Sequence, residues 1–245
     1  MEKSDFKELI DRRVSRRAYL DTVIDGDTRR VLQAQVDEIN HQSGLAIRLV
    51  DDGARAFNGL RKSYGLFSGV RSFFALTGKT EDPHLDEKVG YYGERLILLA
   101  TAQDLGTCWV GGTFDRRSLD FDLGKGERLV CVITVGVTPE QRTWRENLIR
   151  GTMHRKTKSI EELSSWDTRP PEWFMEGMRA VQKAPSAMNR QPARFHFCNN
   201  RVTAQVPDSA GFNLVDLGIA KLHFEVGAGG RFAFGNGAEF EKAAD

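Results

Sequence analysis

The sequence predicts an α+β fold with a mostly antiparallel sheet, and three observations carry that prediction. Apolar residues recur at helical spacing in two long segments, around residues 89–105 and 212–226. Short β-branched or alternating runs stand between the helical segments. Two of those runs are joined by Asn199-Asn200, which favours a hairpin over a parallel crossover.

In chain order, Phe6 to Arg13 reads as a short helix with Phe6, Leu9 and Ile10 on one face and an arginine-rich exit. A second helix starts at Asp27 as N-cap, runs through Leu32, Val36 and Ile39, and ends before Gly44. Leu45 to Val50 follows as a strand closed by Asp51-Asp52-Gly53, and Phe73 to Leu76 as another. Val89 to Leu105 is the strongest helical pattern, with Gly106 as its stop. Leu129 to Val135 is continuous and β-branched, the pattern of a strand buried on both faces. A polar, basic segment from Thr138 to about Ser165 precedes Pro170-Pro171, where proline chemistry marks a boundary. Beyond it come a helix over Glu172 to Lys183, the hairpin of Arg194–Phe197 and Val202–Val206, and an amphipathic helix carrying Phe212, Val215, Ile219, Leu222 and Val226. A glycine-rich turn, Gly227 to Gly230, leads into Arg231 to Phe234. Val89-Gly90 and Leu217-Gly218 form a faint internal echo between the two long helices.

Composition narrows the function. The 245 residues carry 35 Lys+Arg against 34 Asp+Glu, a net charge of +1 that argues against a nucleic-acid binder. Mean hydropathy is −0.43, and the longest apolar run, Leu96 to Ala100, is far short of the ~20 residues of a membrane span. No apolar leader follows Met1, so a cytoplasmic location is expected, with neither membrane nor nucleic-acid partners. Cys108, Cys131 and Cys198 lack C-x-x-C spacing, and no two histidines stand at i, i+4, so no metal site is expected. His223, between Leu222 and Phe224, reads as a satisfied core histidine.

Three segments could carry chemistry. Arg12 to Tyr19 holds four arginines and Ser15. It reads first as a solvated basic turn, and alternatively as an anion grip of guanidinium forks and a hydroxyl. Ala184-Pro185-Ser186-Ala187-Met188-Asn189-Arg190-Gln191-Pro192 is either a proline-bracketed connection or a segment laying amide groups along a flat heteroaromatic ligand. Gly106 to Phe114 is either a helix cap and loop or a glycine turn that lets backbone approach a ligand. Gly124-Lys125-Gly126 lacks the frame of a P-loop, and no G-x-S-x-G elbow is present.

Together these segments resemble the FMN-dependent nitroreductase family. Arg13-Val14-Ser15-Arg16-Arg17-Ala18-Tyr19 is similar to its R-x-S-x-[RK]-x-[FY] motif, Ala184 to Pro192 matches A-P-S-x-x-N-x-Q-P at every specified position, and Leu105 to Gly112 is similar to its glycine turn. In ordinary members the A-P-S motif follows the arginine motif after one helix. Here Asn40-His41-Gln42-Ser43-Gly44 stands in that place, the A-P-S motif arrives in the second half, and Pro170-Pro171-Glu172-Trp173 stands where a second arginine motif would belong. The chain therefore resembles a tandem-duplicated branch. Residues 1–165 would form a first half-repeat with a connecting basic segment, and 166–245 a shorter second one, folded as one intrachain pseudo-dimer around one flavin.

The resemblance implies roles. Arg13, Val14, Ser15 and Arg17 are expected at the FMN phosphate and ribityl or pyrimidine edge. Pro185, Ser186, Ala187 and Asn189 are expected at the flavin from the other half, and Trp109, Val110, Gly111 and Gly112 along its ring. Lys156 or Lys158 would add a phosphate contact, although that basic stretch reads first as a solvated charge run. No side chain is assigned a catalytic role, because the cofactor carries the hydride. The implied activity is transfer of two electrons from NAD(P)H through FMN to a small acceptor such as a nitroaromatic or quinone. The alternative is a flavin-binding or sensing protein without turnover, and a third reading, a nucleic-acid contact through Arg12 to Arg17, predicts salt-dependent binding.

Overall fold

The computed structural model describes residues 3–51, 54–57, 66–119, 121–153 and 156–243; of the expected features, Asp52-Gly53 and Arg155 lie outside them. The chain packs as two units, each built from non-consecutive segments: Met1–Arg12, Asp86–Arg95 and His154–Asp245 in one, Arg13–Leu85 and Leu96–Met153 in the other. Among the described residues no helix is long and apolar enough to cross a membrane.

The unit containing Arg13–Leu85 is organised by an antiparallel sheet, in the order β1 (Arg48–Val50), β2 (Ser72–Lys79), β4 (Glu127–Gly136), β3 (Gly106–Val110). Helix α2 (Gly26–Ser43) is capped by Asp25, not Asp27 as the sequence suggested, because the Asp25 carboxylate accepts from the Asp27 and Thr28 N–H groups. Gly44 ends α2 at φ 72°. Strand β1 is shorter than expected. The Leu45 N–H bonds Ser43 Oγ and the Ile47 N–H bonds Asn40 Oδ1, so side chains of α2 take donors that a ladder would otherwise use. Strand β4 is buried as its composition predicted, but through a central antiparallel position. The core gathers Phe57, Phe67, Phe73 and Phe114, with Phe57 within 6.0 Å of each other ring.

Helix α4 (Leu85–Ala102) begins and ends about one turn earlier than its periodicity suggested. The stop is Asp104, at φ 56°, with the Leu105 N–H returning to the Ala100 carbonyl. Gly106 is thereby released to open β3, so the expected glycine loop is largely a strand. The polar, basic segment after Thr138 holds regular structure: α5 (Trp144–Met153), the single turn α6 (Ile160–Leu163) and β5 (Ser164–Trp166). Ser159 and Glu162 form a capping box for α6, a signal present in the sequence but overlooked.

In the other unit the sheet order is β5, β6 (Arg194–Cys198), β7 (Arg201–Gln205), β9 (Glu239–Lys242), β8 (Gly230–Phe232); only β5 and β6 run parallel. The Asn199-Asn200 hairpin forms as predicted, with both residues at positive φ, 49° and 61°. Helix α7 (Glu172–Val181) packs beside α8 (Asn213–Ala228) around Phe174, Phe195 and Phe224. The prediction of an amphipathic α8 is corrected: it is buried on every side from Val215 to Ala228. Its polar residues are buried as pairs instead. Lys221 Nζ lies 2.5 Å from Glu87 Oε1, His223 Nε2 is 3.1 Å from Glu94 Oε1 while its Nδ1 reaches the Ala180 carbonyl, and Glu225 accepts from the Tyr91 hydroxyl at 2.6 Å.

Candidate functional site

Within the unit organised by β1–β4, the arginine turn and the expected glycine turn are neighbours. Ser15 bridges Thr107 in parallel fashion, and the Arg16 N–H donates to the Thr107 carbonyl at 2.8 Å. The Ser15 hydroxyl lies against the Cys108 thiol; burial raises that thiol's pKa, against the opposing charges of Arg17 and Arg13.

The arginines have different fates. Arg16 is buried, with Nε 3.2 Å from Glu146 Oε1, Nη1 2.9 Å from Thr138 Oγ1 and Nη2 2.8 Å from the Pro139 carbonyl. Glu146 also accepts from the N–H groups of Arg17 (2.8 Å), Ala18 (3.3 Å) and Thr143 (2.9 Å). Burial opposes its charge, yet these hydrogen bonds hold the carboxyl below the usual range. Glu146 is thus the anchor that sets the arginine turn. It lies in the segment that reads only as polar and basic, although Thr143-x-x-Glu146 is a capping pattern. The Arg17 guanidinium, in contrast, makes no hydrogen bond or ion pair with a described residue. Arg13 and Ser15 are half-buried on the same turn, and Val14 is exposed. Trp109 and Val110 belong to β3, while Gly111 and Gly112 form the bend after it.

In the other unit, Ala184 to Pro192 follows α7 in a strained conformation. Met188, Asn189 and Gln191 all have φ near +50°, a costly choice for residues other than glycine. Several clamps hold it. Ser186 Oγ accepts from the Gln191 N–H at 2.9 Å, and the Gln191 side chain accepts from the Lys158 N–H and donates to the carbonyls of Lys156 and Asn189. Lys158 Nζ in turn donates to the carbonyls of Arg190 and Gln191, at 2.9 and 3.0 Å. The structure therefore brings the basic segment to the A-P-S motif, with Lys158 engaged in holding the loop and Lys156 exposed. The Ala187 N–H is occupied by Asp216 Oδ1 at 2.9 Å.

Asp216, on α8, is a candidate that sequence reasoning missed, since it is a polar residue inside an apolar helix. It borders a small, open cleft together with Pro185, Ser186, Gln191, Leu163 and Val181. Burial pushes its carboxyl up to about 7, against the opposing pull of the Ala187 N–H and the Arg190 charge. Pro185, Ser186 and Asn189 are half-buried around this loop.

A family model described as "Putative TM nitroreductase" matches residues 5–228. A solved structure of a nitroreductase from Thermotoga maritima superposes with a TM-score of 0.62 at 19% identity, covering 98% of this chain and 94% of that one, which shows a shared fold. A nitroreductase with bound FMN from Bacteroides fragilis has a TM-score of 0.45 at 15% identity, over 56% of this chain and 90% of that one. None of the curated proteins compared matches this chain.

Proposed function

This chain belongs to the nitroreductase family, and from that premise we propose that it is an FMN-dependent oxidoreductase passing two electrons from NAD(P)H to a small acceptor such as a nitroaromatic or quinone. The observation that carries the proposal is the Arg17 guanidinium, which makes no hydrogen bond or ion pair with a described residue, on a turn whose neighbour Arg16 is locked against Glu146. A fixed backbone carrying a guanidinium fork that no described carboxylate holds suits a phosphate monoester, where charge-assisted bonds are strongest.

The donor set fits FMN. Arg13, Ser15 and Arg17 would hold the phosphate end. Ser186 and Asn189, in the strained and clamped loop with Pro185 and Ala187, would meet the ring or ribityl chain. The bend of Trp109, Val110, Gly111 and Gly112 offers a surface for the ring. When bound, FMN supplies the hydride-accepting and electron-releasing chemistry, and the protein supplies binding, orientation and exclusion of water. Lys158 acts as a positioning residue, because its ammonium holds the Arg190 and Gln191 carbonyls.

We further propose that the chain descends from a tandem duplication. One contact supports this reading. A Cβ on Gly90 would meet the Val215 carbonyl oxygen at 2.0 Å, and one on Gly218 would meet the Glu87 carbonyl oxygen at 2.0 Å. Each glycine faces the carbonyl three residues before the other, the reciprocity expected of a two-fold related pair.

The test is steady-state oxidation of NADH and of NADPH by the flavin-loaded chain, with nitroaromatic and quinone acceptors. Acceptor-dependent turnover is expected. A loaded chain that fails to turn over with either donor would overturn the reductase reading in favour of a flavin-binding protein.

A further inference from the structure

We propose that Asp167, His196 and Cys198 form a binding site for one divalent transition-metal ion of the zinc class. Their ligand atoms all lie within 4.8 Å of one another, and His196 Nε2 is 3.8 Å from Asp167 Oδ2. Strand geometry builds the cluster. In β6, Phe195 and Phe197 point into the core, so His196 and Cys198 share the outer face. The Asp167 N–H donates to the Phe197 carbonyl at 3.2 Å, which seats Asp167 beside the residue lying between those two ligands.

A second observation points to a ligand at His196. Ser165, its register partner on β5, places Oγ 2.9 Å from Nδ1. With Nδ1–H donating to Ser165, the Nε2 lone pair faces Asp167 and is free to bind a cation; an outer hydrogen bond of this kind orients metal-binding histidines generally.

The same geometry disfavours a cysteine nucleophile. His196 Nδ1 is directed to Ser165 and Nε2 to Asp167, so neither nitrogen is aimed at the thiol as a general base. A divalent cation would instead take the thiolate as a ligand, the thiol proton leaving to solvent. One nitrogen, one sulfur and one oxygen ligand suit zinc, while imidazole and thiolate are poor ligands for magnesium or calcium. Tetrahedral ligand atoms stand about 3.3–3.8 Å apart for bonds of about 2.0–2.3 Å. The cluster therefore needs only a modest closing of His196 and Asp167, whose side chains are 42% and 59% exposed. Water would take the fourth position. The ion would tie the end of edge strand β5 to β6.

The experiment is calorimetric titration of the full chain with zinc chloride, paired with cobalt(II) difference spectra that report thiolate ligation. We expect one ion per chain, weaker binding at pH 6 than at pH 8, and a zinc-dependent rise in Tm. Cys198→Ser, His196→Ala and Asp167→Asn should each weaken zinc by about tenfold or more, and Ser165→Ala by about tenfold. Cys198→Ser should also abolish the cobalt–thiolate band. His41→Ala, an exposed histidine elsewhere, should leave binding unchanged. Absence of saturable zinc binding, or binding unaltered in both Cys198→Ser and His196→Ala with their metal-free Tm intact, would overturn the proposal.

Discussion

Arg16 and Arg17 are adjacent, yet one is buried against Glu146 and the other makes no side-chain bond to a described residue, so replacing them should separate stability from binding. Arg16→Ala leaves Glu146 buried without its ion-pair partner, a loss of about 3–5 kcal/mol and a Tm lower by on the order of 10 °C. Arg17→Ala should leave Tm nearly unchanged and weaken FMN by roughly tenfold to a hundredfold, the scale of charge-assisted bonds worth about 1.5–3 kcal/mol. Thermal melts and flavin titrations check the pair; a large Tm loss in Arg17→Ala would contradict the division of roles. Asp216 gives a pH prediction. Its folded carboxyl titrates at about 7 rather than the ordinary 3.8, so the folded state holds a proton that the unfolded chain has released between those values. Stability is therefore highest at the acid end of this window and falls as pH rises through it, with the full penalty above about 7. Glu225, pushed by burial up to about 7, adds a slope of the same sign. Asp216→Asn should flatten the Tm profile between pH 4 and pH 7 and raise Tm at pH 8. These distinctions were not legible in the sequence: its motif located the arginine turn, but only packing separates a buried guanidinium from an available one.

At the scale of elements, the crossing of α4 and α8 depends on two glycines. Gly90→Ala and Gly218→Ala each drive a methyl into a backbone carbonyl, which flexible side-chain ends cannot relieve. Each should cost at least about 1–3 kcal/mol, while Gly26→Ala, with nothing within 4 Å, should stay within about 0.5 kcal/mol. Because both substitutions open one crossing, the double variant should lose less than the sum, and additive losses in a double-mutant cycle would contradict a shared contact. Elements with local signals were readable in advance: the Asn199-Asn200 hairpin, β4 and the start of α7 formed where turn chemistry and periodicity placed them. The amphipathic reading of α8 failed because Asp216, Lys221 and Glu225 read as solvent-facing until their buried partners are known, whereas His223 is the satisfied core histidine its apolar neighbours suggested. Likewise β5 and α6 hid in a polar stretch, and the ligands of the proposed metal site escaped a search for helical spacing. His196 and Cys198 are two apart on a strand, and Asp167 comes from another segment.

For the whole molecule, the central proposal is that this nitroreductase-family chain takes up FMN, with the arginine turn and the A-P-S segment as the candidate binding segments. Arg13→Ala and Asn189→Ala test those segments separately, and each is expected to lower flavin occupancy while preserving the far-UV spectrum. The proposed zinc site makes no demand on flavin, so the two accounts stand or fall independently. The most direct measurement is the visible absorption spectrum of the purified chain after saturation with FMN and removal of excess, with flavin counted per chain. One FMN per chain in the native protein, reduced in both variants, is the predicted result. A colourless protein that takes up no FMN, or full occupancy in both variants, would contradict it.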